Sequence, residues 1–389
     1  MTATYVGHMV GDANMSFWGD QWAREALANF DLYGTLAEFN SGTYTGVTPY
    51  ALSLWAYMPR TSTIAARARN VIAQTWTTIG RLYNPTPHTL GGPWDGAYGH
   101  DMASHSLIPC WLCSAIYSWT ARVLRDPRGA DVRRPPAGLV GGIDDGTAPL
   151  PRPIVGSDHF GDAAANILTP LIAKFHDPYV PAAARALLLR LPDAAGHAYA
   201  AQAVSPPWDA PGVPRNYTAW TPPGLSIGGV ASDEKVVGGP ATNQAAYVPA
   251  TIVWDAGGAQ TAWFNVSARA RAVCTRRAAR SAPSRRARGS RSRTRRRARS
   301  RGRRTSQMTF RFGGFPRVTL GADFLADADA TLPGLRLRVS GNVVRRVARA
   351  LVFGASAVNG LAYYNLTYAW TAADQGGEVP QIVLEVEKT

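Results

Sequence analysis

The stretch Asn216-Tyr-Thr-Ala-Trp-Thr-Pro-Pro-Gly-Leu-Ser-Ile227 marks the point where the chain changes its hydrophobic period. Tyr217–Trp220 and Leu225–Ile227 are short runs of aromatic and aliphatic residues, and the Pro-Pro-Gly between them is turn chemistry. Towards the C-terminus the pattern repeats at Ala246–Trp254, Thr261–Val266, Met308–Phe312, Arg317–Leu320, Leu335–Val339, Leu351–Phe353, Ala362–Trp370 and Gln381–Val386. Many short strands at intervals of about 8–12 residues predict an antiparallel β-sandwich.

Towards the N-terminus the period is helical. Residues 15–36 carry Phe17, Trp22, Ala26, Leu27, Phe30 and Leu32 near one face. Tyr44–Tyr57 carries Val47, Tyr50, Ala51, Leu54 and Trp55, and Thr63–Leu82 carries Ile64, Ala68, Val71, Ile72, Trp76 and Ile79. These spacings of three and four residues are those of an amphipathic helix. A fourth helix is predicted over Ala97–Val123, and two shorter ones within Phe160–Leu191, broken at Pro178 and Pro181. Helices first and strands afterwards give an α+β, two-domain reading: a helical part over 1–205 and a β-sandwich over 206–268 and 305–389.

Residues 269–304 interrupt the strand series. They hold seventeen Arg and no Lys, Asp or Glu. Removing those charges from the net +15 leaves −2 on the other 353 residues, so the basic character belongs to one segment. An alphabet almost wholly of Arg, Ala, Ser, Gly, Pro and Thr, without aromatic residues, cannot bury a core, and disorder is the expectation. Three readings compete: a basic arm that binds nucleic acid or an import receptor, a solvated linker, and sequence foreign to the fold, of the kind a frameshift or retained intron in GC-rich DNA encodes. We favour the last, since the strand pattern resumes with the same character beyond it. Nucleic acid is therefore expected as a partner only through this insert.

Other classes fall away. No run of 18 apolar residues exists, so no membrane partner is expected. Met1–Val10 lacks the basic start and apolar run of a signal peptide. Four N-x-S/T sequons, at Asn14, Asn216, Asn265 and Asn365, lean towards a secreted ancestry. Cys110 and Cys113 have CxxC spacing, but no second ligand pair completes a zinc site, and both read as core residues. Walker A, GxSxG, GxGxxG and HExxH motifs are absent, and nothing calls for a cofactor or a metal.

Two loops hold the densest polar residues: Glu38-Phe-Asn-Ser-Gly-Thr-Tyr44, and Gly91-Gly-Pro-Trp-Asp-Gly-Ala-Tyr-Gly-His-Asp-Met102 with His88 just before it. Alternate loops of a ring of helical hairpins share one end, which places Asn40, Tyr44, Trp94, Asp95, Tyr98 and His100 around one cleft. These motifs resemble a fungal and bacterial family without an assigned reaction, similar to heparinase- and alginate-lyase-like proteins. The resemblance covers roughly residues 30–266, including Thr218-Ala-Trp220, Ile227-Gly-Gly229 and Pro249-Ala-Thr-Ile-Val-Trp254. It implies an α/α toroid, incomplete here, followed by a β-sandwich. The chain departs from the pattern at Gly96, where Arg is expected, and at His100, where an apolar residue is expected.

A polysaccharide lyase acting on an acidic glycan by β-elimination suits these residue types. It must neutralise a carboxylate, remove the α proton and protonate the leaving oxygen. Asn40 is the expected neutraliser, Tyr44 or Tyr98 the acid or base, and His100 or His88 a second proton carrier. Glu38, His88, Trp94 and Asp95 are expected to contact the glycan. A glycoside hydrolase using Glu38 and Asp95 as paired carboxylates is the alternative. So is a non-catalytic glycan binder stacking sugars on Trp18, Trp94 and Trp220.

Overall fold

The computed structural model describes residues 1–95 (except 38, 43, 56, 85, 86 and 88), 176, 179–189, 193–204, 209, 212–231, 248–257, 261–268, 306–321, 323–326, 329–342, 344, 348–355, 362–371, 373–374 and 381–389. The chain is α+β: a helical N-terminal part followed by largely antiparallel sheets.

The helical part comprises α1 (Thr2–Val10), α2 (Ala13–Tyr33), α3 (Tyr44–Trp55), α4 (Thr63–Leu82) and α5 (Ala182–Leu189). Side chains start two of them. The Asp12 carboxylate accepts from Met15 N–H at 2.9 Å at the head of α2, and Ser62 Oγ accepts from Ala65 N–H at 3.2 Å at the head of α4. Gly11 and Gly34, both left-handed, end α1 and α2. The apolar stripe of α4 is buried throughout, from Ile64 to Leu82.

Helix α2 departs from the expected stripe. Leu27 and Phe30 are buried, but Phe17, Trp22 and Leu32 are exposed. For the aromatic residues the cause lies in the seam with α1, where Thr4 and Gly7 meet Ser16 and Gly19. A Cβ on Gly7 would stand 2.6 Å from Ser16 N, and one on Gly19 would stand 2.5 Å from Thr4 N. A seam that tight excludes large side chains, so the aromatic residues of α2 lie outside it.

Short strands β1 (Tyr83–Asn84) and β2 (Thr89–Leu90) pair with each other. The main strands are β3 (His197–Ala203), β4 (Arg215–Thr221), β5 (Leu225–Ala231), β6 (Ala250–Asp255), β7 (Thr261–Ala268), β8 (Ser306–Gly313), β9 (Asp329–Leu332), β10 (Leu335–Ser340), β11 (Ala348–Ala355), β12 (Ala362–Trp370) and β13 (Val383–Lys388). They form an eight-stranded sheet, β11-β12-β8-β7-β6-β5-β4-β3, and a three-stranded sheet, β13-β10-β9.

Alternation along each strand divides the large sheet between two cores. On one face Phe264, Phe310, Phe312, Tyr364, Leu366 and Trp370 share a cluster with Leu332, Leu335, Leu337 and Val339 of the small sheet. On the other face Tyr217, Ala219, Val253 and Trp263 share a cluster with Phe39, Trp76, Ile79 and Leu82 of the helical part. The large sheet is thus the middle layer.

Three strand expectations change. Arg317–Leu320 is not a strand. The Val318 amide donates to the Tyr364 hydroxyl at 3.0 Å and its carbonyl accepts from the same hydroxyl, which satisfies the backbone without a ladder. β9 and β3 were not expected. β3 is an alanine-rich edge strand with a weak apolar signal, and it moves the start of the sheet to His197, ahead of the boundary at 205. The arginine-rich insert lies outside the described residues, but the strands on either side of it, β7 and β8, are antiparallel neighbours with Ala268 opposite Met308. It therefore enlarges the connection of a hairpin, and loop closure entropy grows only slowly with length.

His176 is buried against α3 and α4. Trp76 Nε1 donates to its Nε2, and its Nδ1 lies 2.9 Å from Ser53 Oγ. An indole N–H can only donate, so the neutral ring carries its proton on Nδ1 and donates to Ser53. This arrangement does not activate the Ser53 hydroxyl as a nucleophile. Burial pushes the His176 pKa down to about 4. Below the ordinary value of 6.5 the unfolded chain binds a proton that the folded chain refuses until about 4. Stability from this group is therefore present at neutral pH and is lost as pH falls through that window, by on the order of 3 kcal/mol. Urea denaturation at neutral pH and near pH about 4.5 should show this loss, and His176→Gln should flatten the difference. An unchanged pH slope in the variant would contradict this account.

Candidate functional site

The loop after α2 and the turn after β2 meet over the middle sheet. Asn40, left-handed at φ 58, donates through Nδ2 to the carbonyls of Gly91 at 2.7 Å and Pro93 at 2.6 Å. Two carbonyl partners fix the orientation of the amide. Its Oδ1 is a buried acceptor with no hydrogen-bond partner. Asn40 lines a cavity of about 40 Å³ together with Phe39, Thr35, Thr48, Thr75 and Thr78. At about 10–15 Å³ per molecule, that space suits a few waters or a single hydroxyl-bearing group, not a sugar chain.

The Gly91–Asp95 turn rests directly on the sheet backbone. A Cβ on Gly228 would stand 1.6 Å from Gly92 O, and one on Gly92 would stand 1.8 Å from Thr251 Oγ1. Trp94 exchanges two backbone hydrogen bonds with Val248, at 3.0 and 2.9 Å, and its indole donates to Leu90 O at 3.2 Å. Next to it Asp95 enters an ion cluster. Arg215 Nη1 lies 3.3 Å from Asp95 Oδ2, and Arg215 Nε and Nη2 lie 3.0 and 2.8 Å from Asp209 Oδ1. All three side chains are fully buried.

This geometry redistributes the roles expected from the sequence. Asn40 commits both amide hydrogens to the turn, so it positions that turn and has no donor left for a substrate carboxylate. Trp94 is buried and offers no face for stacking. Asp95 is held by Arg215 away from solvent, so it does not serve as an open hydrolase carboxylate. Tyr44 is half-buried at the head of α3, where its N–H donates to Ser41 Oγ at 2.9 Å. Trp220 is half-buried and donates to Ala195 O at 3.0 Å, whereas Trp18 is exposed. Glu38, His88, Tyr98 and His100 lie outside the described residues.

Strand register assembles a second polar group from the opposite half of the chain. Thr251 on β6 stands opposite Asn265 on β7, Asn265 opposite Arg311 on β8, and Arg311 opposite Asn365 on β12. This row crosses four strands on the face that looks towards the helices, over about 14 Å at the usual strand spacing. It begins under the Gly92 turn, where Thr251 Oγ1 is buried without a partner. Thr251 and Asn265 are buried, whereas Arg311 and Asn365 are only partly covered, so the row opens outward. Arg311 Nε donates to Asn365 Oδ1 at 3.3 Å, which leaves the Asn365 amide hydrogens for another acceptor. Burial lowers the Arg311 pKa, and the Coulombic pull of Tyr363 partly offsets this. The Tyr363 ring packs on Trp263 at 6.1 Å beside Gly313, where a Cβ would stand 3.3 Å from both residues.

Sequence reading missed this row because Asn265 and Asn365 looked like glycan acceptors. The local signal was present: Phe310-Arg311-Phe312 places a cation between two core aromatics, as Phe264-Asn265-Val266 places an amide. Only register joins the two.

The ion cluster predicts a sharp stability effect. Removing one member of a buried charge group costs about 3–5 kcal/mol, because the others remain desolvated. Arg215→Met should lower the unfolding free energy by that amount, and Arg215→Lys should not restore it, since one ammonium cannot reproduce the forked contacts. Gly228→Ala should destabilise comparably by lifting the turn off the sheet. Equilibrium denaturation checks all three, and a near-neutral Arg215→Met would show that the cluster is not structural.

Comparison with known families follows the same division. Residues 1–132 match the model of one domain of unknown function (DUF8769), and residues 195–387 match that of another (DUF8770). The second match begins two residues before β3. No curated protein and no solved structure matches the chain. The chain is therefore similar to two families in tandem, one over the helical part and one over the sheets.

Proposed function

We propose that this protein cleaves an acidic glycan by β-elimination, as a polysaccharide lyase, with its site on the outer half of the Thr251–Asn365 row. The observation that carries the reading is one guanidinium, Arg311, between two carboxamides on adjacent strands, with Tyr363 beside it. Donors in that arrangement suit a uronate carboxylate and the charge that builds on it when the α proton leaves. Tyr363, beside Arg311, is the proton carrier. In the reaction the α C–H bond breaks and its proton passes to the base. The electron pair forms the new double bond, the C–O bond to the next sugar breaks, and the departing oxygen takes a proton.

The finer architecture belongs to the same proposal. The helices read as an arc of an α/α toroid and the two facing sheets as a β-sandwich, the arrangement implied by the family resemblance. Tyr98 and His100 remain candidates for the second proton carrier. The hydrolase reading loses support because Asp95 is engaged by buried Arg215.

The test is ultraviolet absorbance of an unsaturated uronate product when the full chain is offered a panel of uronate polysaccharides. A rise in absorbance is expected. Tyr363→Phe and Arg311→Met should each reduce kcat by about 10²–10³-fold. No rise on any polymer with folded protein, or full activity in both variants, would overturn the proposal.

A further inference from the structure

The surface of the α1–α2 hairpin is independent of that site. Tyr5, Phe17, Trp18 and Trp22 are 44–61% exposed, and Met9 and Val10 are 66% and 67% exposed. Met1, Val6 and Met15 are 36–38% exposed. On α2, Met15, Trp18 and Trp22 follow helical spacing, as Met1, Tyr5 and Met9 do at α1. The Phe17 and Trp18 rings meet edge to face at 5.5 Å. The glycine seam explains why these side chains are available: the two helices touch through Thr4, Gly7, Ser16 and Gly19, so their large residues point away from the contact.

We infer that this hairpin face is the interface of a homodimer, with α2 packing on α2 of a second copy across a twofold axis. Area is the first argument. At about 150–250 Å² per aromatic side chain, the four exposed rings leave roughly 400 Å² in water. The methionines and valines carry the patch towards the ~800 Å² that each partner contributes to a stable interface. Charge is the second argument. No Asp, Glu, Lys or Arg occurs in 2–10 or 13–19, so a twofold contact brings no like charges together at its centre. Asp20, the next charge along α2, faces Thr63 and Arg24. An anionic membrane surface is disfavoured as the occupant, because the exposed charges of α2 and its cap are Asp12, Glu25 and Asp31, the last paired with Arg67, against Arg24 alone, which is not the basic face that membrane-surface helices use.

Sedimentation velocity on the full chain across a dilution series tests this. The expected result is twice the chain mass, falling to one chain on dilution, with a blue-shifted tryptophan emission in the dimer. W18E combined with W22E should sediment as one chain at every concentration while keeping the wild-type circular dichroism. If that pair disturbs folding, Tyr5→Ser with Met9→Gln makes the same test from α1. A wild type that stays monomeric throughout overturns the proposal. So does a dimer that survives both double substitutions, or a face that binds anionic vesicles without self-association.

Discussion

Arg215 is the point at which the two parts of the molecule are tied together. Its guanidinium is fully buried between Asp95, from the turn of the helical part, and Asp209, from the segment leading into β4. Burying three charges is unfavourable unless each finds its counterpart, so the cluster tolerates only one placement of the Gly91–Asp95 turn. That placement sets Gly92 on Thr251 and Gly228, Trp94 against Val248, and Asn40 over the turn. The contact also depends on two positions without side chains. Any Cβ at Gly92 or Gly228 would hold the layers apart.

The middle sheet separates two chemistries by the alternation of its strands. Towards the small sheet it presents a dense aromatic core, in which Phe312 stacks with Phe264 at 5.1 Å and with Tyr364 at 5.2 Å. Towards the helices it is apolar where they cover it and polar beyond, from Asn265 to Asn365. The aromatic core fixes the register, because a slip of one residue would turn every ring to the wrong face. The same register aligns Asn265, Arg311 and Asn365. Packing on one side of the sheet thus decides the geometry of the candidate site on the other, while the dimer face of α2 lies on a separate element and draws on the hairpin seam.

Much of the architecture was legible locally. The stripe of α4 is buried as its spacing requires, and the alternation of Ala362–Trp370 appears as Tyr364, Leu366, Tyr368 and Trp370 in one core. Those signals are local because each follows from one element burying one face. α2 misled for a matching reason: aromatic residues at helical spacing announce an apolar face without saying which neighbour covers it. Its tightest contact is made by Gly7 and Gly19, which carry almost no hydrophobic signal. β3 was missed because an alanine-rich edge strand buries little.

By itself, the sequence determined the order of helices and strands, the concentration of the basic charge in 269–304, and the importance of the loops around Asn40 and Trp94. Tertiary structure decided what those loops do. Asn40 and Asp95 are spent on the joint between layers, since partners 51–53 and 120 residues away satisfy them there. It also created the Asn265–Arg311–Asn365 row. Periodicity within a strand fixes which residues share a face, but only the pairing of strands, set by burial of the aromatic core, fixes which of them stand side by side.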